Sequence, residues 1–272
     1  MRHLLRLIAW SLLTLAVATG ARAQFIWIGQ GTTRSISDAN NWSGFAAPPN
    51  DGSAVLYFAN GLHDKATLPS NFDVDAIMIG GNNDFTVDAA SPTILQVGSG
   101  IAIIDNQNDF LRFGPNITVN FAGTTVFDTK DGTMLFAGHI SGGATLNLIQ
   151  SDASGNGTFI FNNTGTGNTY SGATYLGDGS GSVGVAFWNS TPFGSSSVYA
   201  LVPNAGLVTL IAHGTQTLTN QFSFTFMNPG SGQVTFRSWD APLTFNGQIT
   251  LDTNAIFAAS ILQSQLPAPN GA

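Results

Sequence analysis

From Gln24 onward the chain is a succession of short β-rich runs closed by clusters of Gly, Asn, Asp and Ser, with no helix of ordinary length. That punctuation is the strongest constraint on the fold, because runs of four or five residues bury apolar side chains only within sheets. The runs include Val55–Phe58, Ile101–Ile104, Ile117–Phe121, Met134–Phe136 and Thr158–Phe161, then Leu207–Ile211, Phe222–Phe226, Val234–Phe236 and Leu243–Phe245. Phe222, Phe224 and Phe226 alternate with Ser223 and Thr225, the period of a strand with one buried face. In the second half the runs recur roughly every 8–12 residues, with turn residues between them at Asp178-Gly179, Asn228-Pro229-Gly230 and Asn246-Gly247. The late helical candidate, Ser260 to Leu266, is short and Pro267 stops it.

Composition removes the main competitors. Charged residues make up 8% of the chain, against ~25% in an average soluble domain. All 15 acidic residues are Asp, and the eight basic ones are six Arg and two Lys. A chain without Glu and almost without Lys is a poor helical bundle or coiled coil. The absence of Cys excludes a disulfide scaffold and a Cys-ligated metal centre. At 43% hydrophobic, the sequence is no disordered acidic tail.

The first 23 residues read as a secretory signal. Arg2, His3 and Arg6 precede an apolar stretch from Leu7 to Val17, and Ala21-Arg22-Ala23 places small residues at −3 and −1 of a cut before Gln24. The apolar stretch is well short of the ~20 residues that span a bilayer. Cleavage leaves five cations (Arg34, Lys65, Arg112, Lys130 and Arg237) against 15 Asp, so the net charge moves from −7 to −10. Five scattered cations argue against nucleic acid as a partner. Nor does the mature chain carry a second apolar segment of spanning length. The expected setting is the outside of a bacterium, secreted or at the cell surface and outer membrane.

Regular short strands fit a β-solenoid or a β-sandwich. Three features favour the solenoid. About 249 residues of strand run without a linker, which is long for one sandwich. Gly, Asn and Thr are abundant, as tight corners require. The stretches FAGHISGGATLNL, FNGQITL and FIFNNTGTGNTYSGATYL are loosely alike, as stacked coils tolerate. The expected architecture is a right-handed parallel β-helix with an N-terminal cap, divided into 24–150 (cap and first coils) and 151–272 (solenoid).

One block carries more. Gly155, Gly157 and Thr158 open it, with Phe159 and Phe161 following in alternation. Asn168-Thr169-Tyr170-Ser171-Gly172-Ala173-Thr174 and then Thr191-Pro192-Phe193-Gly194 complete it. Residues 155–201 thus resemble the autotransporter-associated β-strand repeat, G-x-G-T-L-T-L, N-T-Y-x-G-x-T, A-L-G-x-G-x-L. Asn40-Asn41-Trp42-Ser43 with Pro48, Pro49, Asn50 and Asp51 is similar to the entry seen before such repeats. Thr217 to Leu251 is similar to the strand pair that follows them. The resemblance implies a secreted or surface-displayed passenger with no catalysis assigned to the repeat. There is one clear unit rather than an array, and no translocator barrel or sorting tail follows Phe257. The chain is therefore expected to be either a short secreted member or the N-terminal part of a longer product. Within the motif, Tyr170 and Tyr175 are expected to stack along a face, Asn168 to bond backbone at a corner, and Gly172 to permit the turn.

No catalytic constellation stands out. Should the β-helix be a polysaccharide hydrolase or lyase, Asp73 and Asp75 are the acid/base pair to expect, since a spacing of two puts both carboxylates on one face of a strand. Asp105 with Asp109 is the second pair, and His139 and His213 are read as structural. For Ca²⁺, Asp84 and Asp178 in Gly-rich corners are the weak candidates, neither within a recurring Gly-Gly-x-Gly-x-Asp nonapeptide. No cofactor is expected. Trp27, Trp42, Trp188 and Trp239 are weighed as a sugar-stacking surface, with the first two better read as a cap. The expected function is a non-enzymatic exported passenger in adhesion or envelope structure, whose partners are extracellular polysaccharide or cell-surface components. The alternatives are a carbohydrate-active enzyme and a secreted glycan-binding module.

Overall fold

The computed structural model describes residues 22–59, 64–80, 84–103, 109–152, 155–163, 167–178, 180–202, 206–226 and 232–251. The expected signal up to residue 21, Asp105 and the Ser260–Leu266 segment lie outside these residues. The described chain winds as an all-β parallel β-solenoid of about seven turns, with a single 3₁₀ turn at Ala39–Asn41 and no α-helix. Every strand ladder among the described residues is parallel, so the β-sandwich alternative, two packed antiparallel sheets, is overturned.

Each coil passes over three faces. One carries Ile117–Phe121, His139–Gly142, Gln216–Leu218 and Leu243–Phe245. The second runs from Gln24–Trp27 and Val55–Phe58 through Leu146–Ile149, Thr174–Leu176, Val198–Val202 and Phe222–Phe226 to Ile249–Leu251. The third holds eight strands in order from Lys65–Leu68 to Gln233–Ser238. Thr93–Ile103 rounds the corner between the first two faces: its early part pairs with Ile117–Phe121 and its later part with Thr125–Asp128. The ladder crosses residue 150 unbroken, since Leu146 pairs with both Thr125 and Thr174.

Alternation decides what is inside. On the second face Leu56, Ile77, Ile101, Phe127, Leu148, Leu176, Ala200 and Phe224 align in register and are all buried. On the third, Phe113, Phe136, Phe161 and Phe187 form an inner column, Phe113 stacking on Phe136 at 5.1 Å and 12°. Burying one such side chain contributes roughly 1.5–3 kcal/mol. At the first coil Trp27 and Trp42 pack edge to face at 5.1 Å, both buried, against Phe58 and with Phe85 beside Trp27. Trp42 Nε1 donates to the Ile36 carbonyl at 2.7 Å, so its one polar atom is satisfied.

Candidate functional site

The second face is polar and uncharged toward its last coils. Tyr175 and Tyr199 alternate with the buried Thr174, Leu176, Val198 and Ala200, so both point outward. They pair in register, and their rings stack at 5.2 Å and 23° while remaining 42% and 41% exposed. The next two positions in that column are Ser223 and Thr250. The column beside it holds Ser197, Gln221 and Gln248, tied coil to coil by Val198 N–H to the Gln221 carbonyl (2.8 Å) and Phe222 N–H to the Gln248 carbonyl (2.9 Å). Ser197, Tyr199, Gln221, Ser223, Gln248 and Thr250 line a shallow depression of about 220 Å³, with Val198 and Phe222 beneath. One ring face of Tyr199 is covered by Tyr175, and the other looks over the small Ser223.

A second aromatic column runs along the edge of the third face. Trp188, His213 and Trp239 follow their strands, and their N–H groups donate to Phe161, Phe187 and Ala212 carbonyls at 3.2, 2.9 and 2.9 Å. Trp188 and His213 stack at 3.9 Å and 3°, and His213 and Trp239 at 5.7 Å and 28°. Burial between the rings holds the His213 imidazole below its usual range against the opposing charge of Asp240. Both faces of His213 and one of Trp188 are used within the column. The four tryptophans weighed together from sequence therefore separate: Trp27 and Trp42 close the core, while Trp188 and Trp239 stack at the surface.

The acidic residues singled out from sequence are dispersed. A register shift between Val74 and Ala76 interrupts the strand Phe72–Ile79. Asp73 stays on the outward side of the early part, its N–H donating to Asn50 Oδ1 at 2.6 Å. Asp75 sits at the bulge, 6% exposed, bonded by Ser99 Oγ (3.1 Å) and paired with Arg22. The spacing-of-two argument for one shared face thus meets a bulge, which reverses the alternation. Cleavage before Gln24 would remove Arg22 and leave Ser99 as the Asp75 partner. Asp109 is buried. Asp178 Oδ1 accepts the Ser180 N–H at 2.9 Å, a turn bond, and Asp84 opens its strand exposed. Among the described residues no three His or Asp side chains gather as a metal site. His139 Nδ1 lies 2.8 Å from the Gly167 carbonyl at a corner.

Gln221, Ser223, Gln248 and Thr250 were not singled out from sequence. Their signal was spacing: Tyr175, Tyr199 and Ser223 lie 24 residues apart, which is the length of those two coils. Comparison with protein-family models, curated proteins and solved structures gives no match.

Proposed function

We propose that this chain is an exported, non-catalytic β-solenoid of the autotransporter-passenger kind, acting at a bacterial cell surface in adhesion or envelope structure. The observation that supports this reading is how the repeat-like block is built into the fold. Asn156–Phe161 pairs along its whole length with Ser182–Phe187, and Thr174–Leu176 pairs with Val198–Val202. Each half of the block stacks on its own continuation and on coils before and after it. A unit of this kind lengthens a surface rather than building an isolated pocket. The bulge that puts Asp75 on the opposite side from Asp73 gives no support to the enzyme alternative.

Export is tested by expressing the chain from its first Met in a Gram-negative host and fractionating the cells. The expected product is found outside the cytoplasm with Gln24 as its first residue, read by mass spectrometry. An uncleaved protein confined to the cytoplasm would overturn the reading.

A further inference from the structure

We propose that the depression beside Tyr199 binds one or two rings of a neutral saccharide, the sugar taking the place of the missing next ring in the Tyr175–Tyr199 stack. The inference deepens the surface-protein reading by naming a ligand class, and rests on it only for where such a ligand is met.

The geometry follows from register. Neighbouring strands of a sheet lie ~4.8 Å apart, and the two tyrosine rings follow that spacing at 5.2 Å. On the next coil the column continues with Ser223, whose side chain ends at a hydroxyl. That column leaves a depression of about 220 Å³ in which the half-exposed Tyr199 is followed by Ser223 and Thr250. The C–H face of a pyranose is apolar and matches an aromatic face, while its edge carries hydroxyls. Along the edge of this depression stand the exposed Gln221 and Gln248, each offering an amide donor pair and a carbonyl acceptor. Ser197, Ser223 and Thr250 add hydroxyls that donate or accept.

Two magnitudes narrow the ligand. None of the described lining residues is charged, so among them an anionic or cationic sugar finds no counterion. The depression, at about 220 Å³, is smaller than the ~300 Å³ of an ordinary enclosed ligand pocket. It suits a short stretch of a polysaccharide lying across the face. The Trp188–His213–Trp239 column suits a neutral sugar less, because both faces of its middle ring are covered and the charged Asp240 stands close to His213.

The test is affinity electrophoresis of the mature chain from Gln24, run in gels containing laminarin, dextran, galactomannan or xyloglucan, with polygalacturonate and alginate as acidic controls. At least one neutral polymer should retard the protein, and neither acidic one should. Tyr199→Ala should weaken the retardation at least tenfold, whereas Tyr199→Phe, which keeps the ring, should retain most of it. Ser223→Tyr supplies the missing ring from the protein itself and should abolish binding while the circular-dichroism melt shows the fold intact. The proposal is overturned by an absence of retardation in every neutral gel, by retardation in the acidic gels alone, or by wild-type retardation of either Tyr199→Ala or Ser223→Tyr. Because the protein is purified before the gel, this result is independent of whether the chain is exported.

Discussion

At the scale of single residues, the corners of the solenoid are held by amides. Asn168 Oδ1 accepts from Ile140 N–H (2.9 Å) and from Asn163 Nδ2 (2.8 Å), while its own amide donates to the Pro192 carbonyl (2.7 Å). Asn189 continues this network to Asn163 on the coil before it, and Asn220 binds the Gly194 and Ser196 carbonyls at a later corner. The corner role expected of Asn168 is realised, because a buried backbone N–H left without a partner costs about 1–3 kcal/mol. Tyr170 differs from expectation. It turns inward, fully buried, where Thr174 Oγ1 donates to its hydroxyl at 3.1 Å, and burial raises the phenol above its usual range. Only Tyr175 stacks on the surface, with Tyr199 rather than Tyr170. Asp88 makes a pH prediction. Partial burial pushes its carboxyl up, but the Lys65 ammonium at 2.7 Å, the Ala89 N–H and the Arg112 charge outweigh this and hold it below the ordinary 3.8. A depressed folded value stabilises the protein above the unfolded pKa and is lost as pH falls through the folded one. Lys65→Met should therefore cost roughly 0.2–1 kcal/mol at pH 7, as for a partly exposed pair. That difference should begin to shrink as pH falls through the ordinary 3.8 and keep shrinking as it passes the lower folded value. Urea midpoints of both proteins at pH 7, 4 and 3 check it, and a difference as large at pH 3 as at pH 7 would refute it.

At the scale of elements, two glycines of the repeat-like block show different physical demands. Gly194 adopts φ +55°, the left-handed region that favours glycine. Gly172 has no such angle. Its constraint is close approach, because a Cβ there would overlap the Ala144 carbonyl on the coil before it. The turn expected of Gly172 is thus set by the neighbouring coil rather than by its own dihedral. Gly172→Ala should destabilise by about 1–3 kcal/mol, as overpacking does. Its thermal midpoint should fall accordingly, and an unchanged midpoint would show that the coils separate freely. The Phe72–Ile79 strand teaches the same lesson about neighbours. Its sequence alternates until Val74, and the bulge opposite Gly98 and Ser99 resets which residues face inward.

At the scale of the whole molecule, a solenoid is close to one-dimensional, with each coil stabilised by the coils on either side. Among the described residues the first strand pairs with one neighbour, Val55–Phe58, and the aromatic cap packs over the core beside it. Trp42 contacts Trp27, Phe58 and Phe25 and is fully buried. Trp42→Ala should cost about 3–5 kcal/mol. Because coupling runs between neighbours, hydrogen exchange should accelerate first in Val55–Phe58 and Phe72–Ile79. Protection at Thr174–Leu176 should stay near wild type, and uniform loss along the chain would contradict nearest-neighbour coupling. The cap was legible because two tryptophans near the start of a solenoid have an open core to cover. The saccharide face was not, since Tyr199, Gln221 and Gln248 form no local motif.

By itself the sequence determined the local rules, strands that alternate and corners rich in Asn and Gly, and favoured a stacked core without removing the sandwich. Those follow from period-two burial and from backbone groups that need partners, and both are written within a few residues of each position. The tertiary structure decided which residue lies above which. Coil length is irregular, 21 residues from Val55 to Ala76 but 28 from Leu146 to Thr174, because corners absorb insertions that strands do not. A shift of one residue moves every side chain of a strand to the other face. The column of Tyr175, Tyr199, Ser223 and Thr250, and the open ring face it leaves, therefore exists only once the coils are stacked.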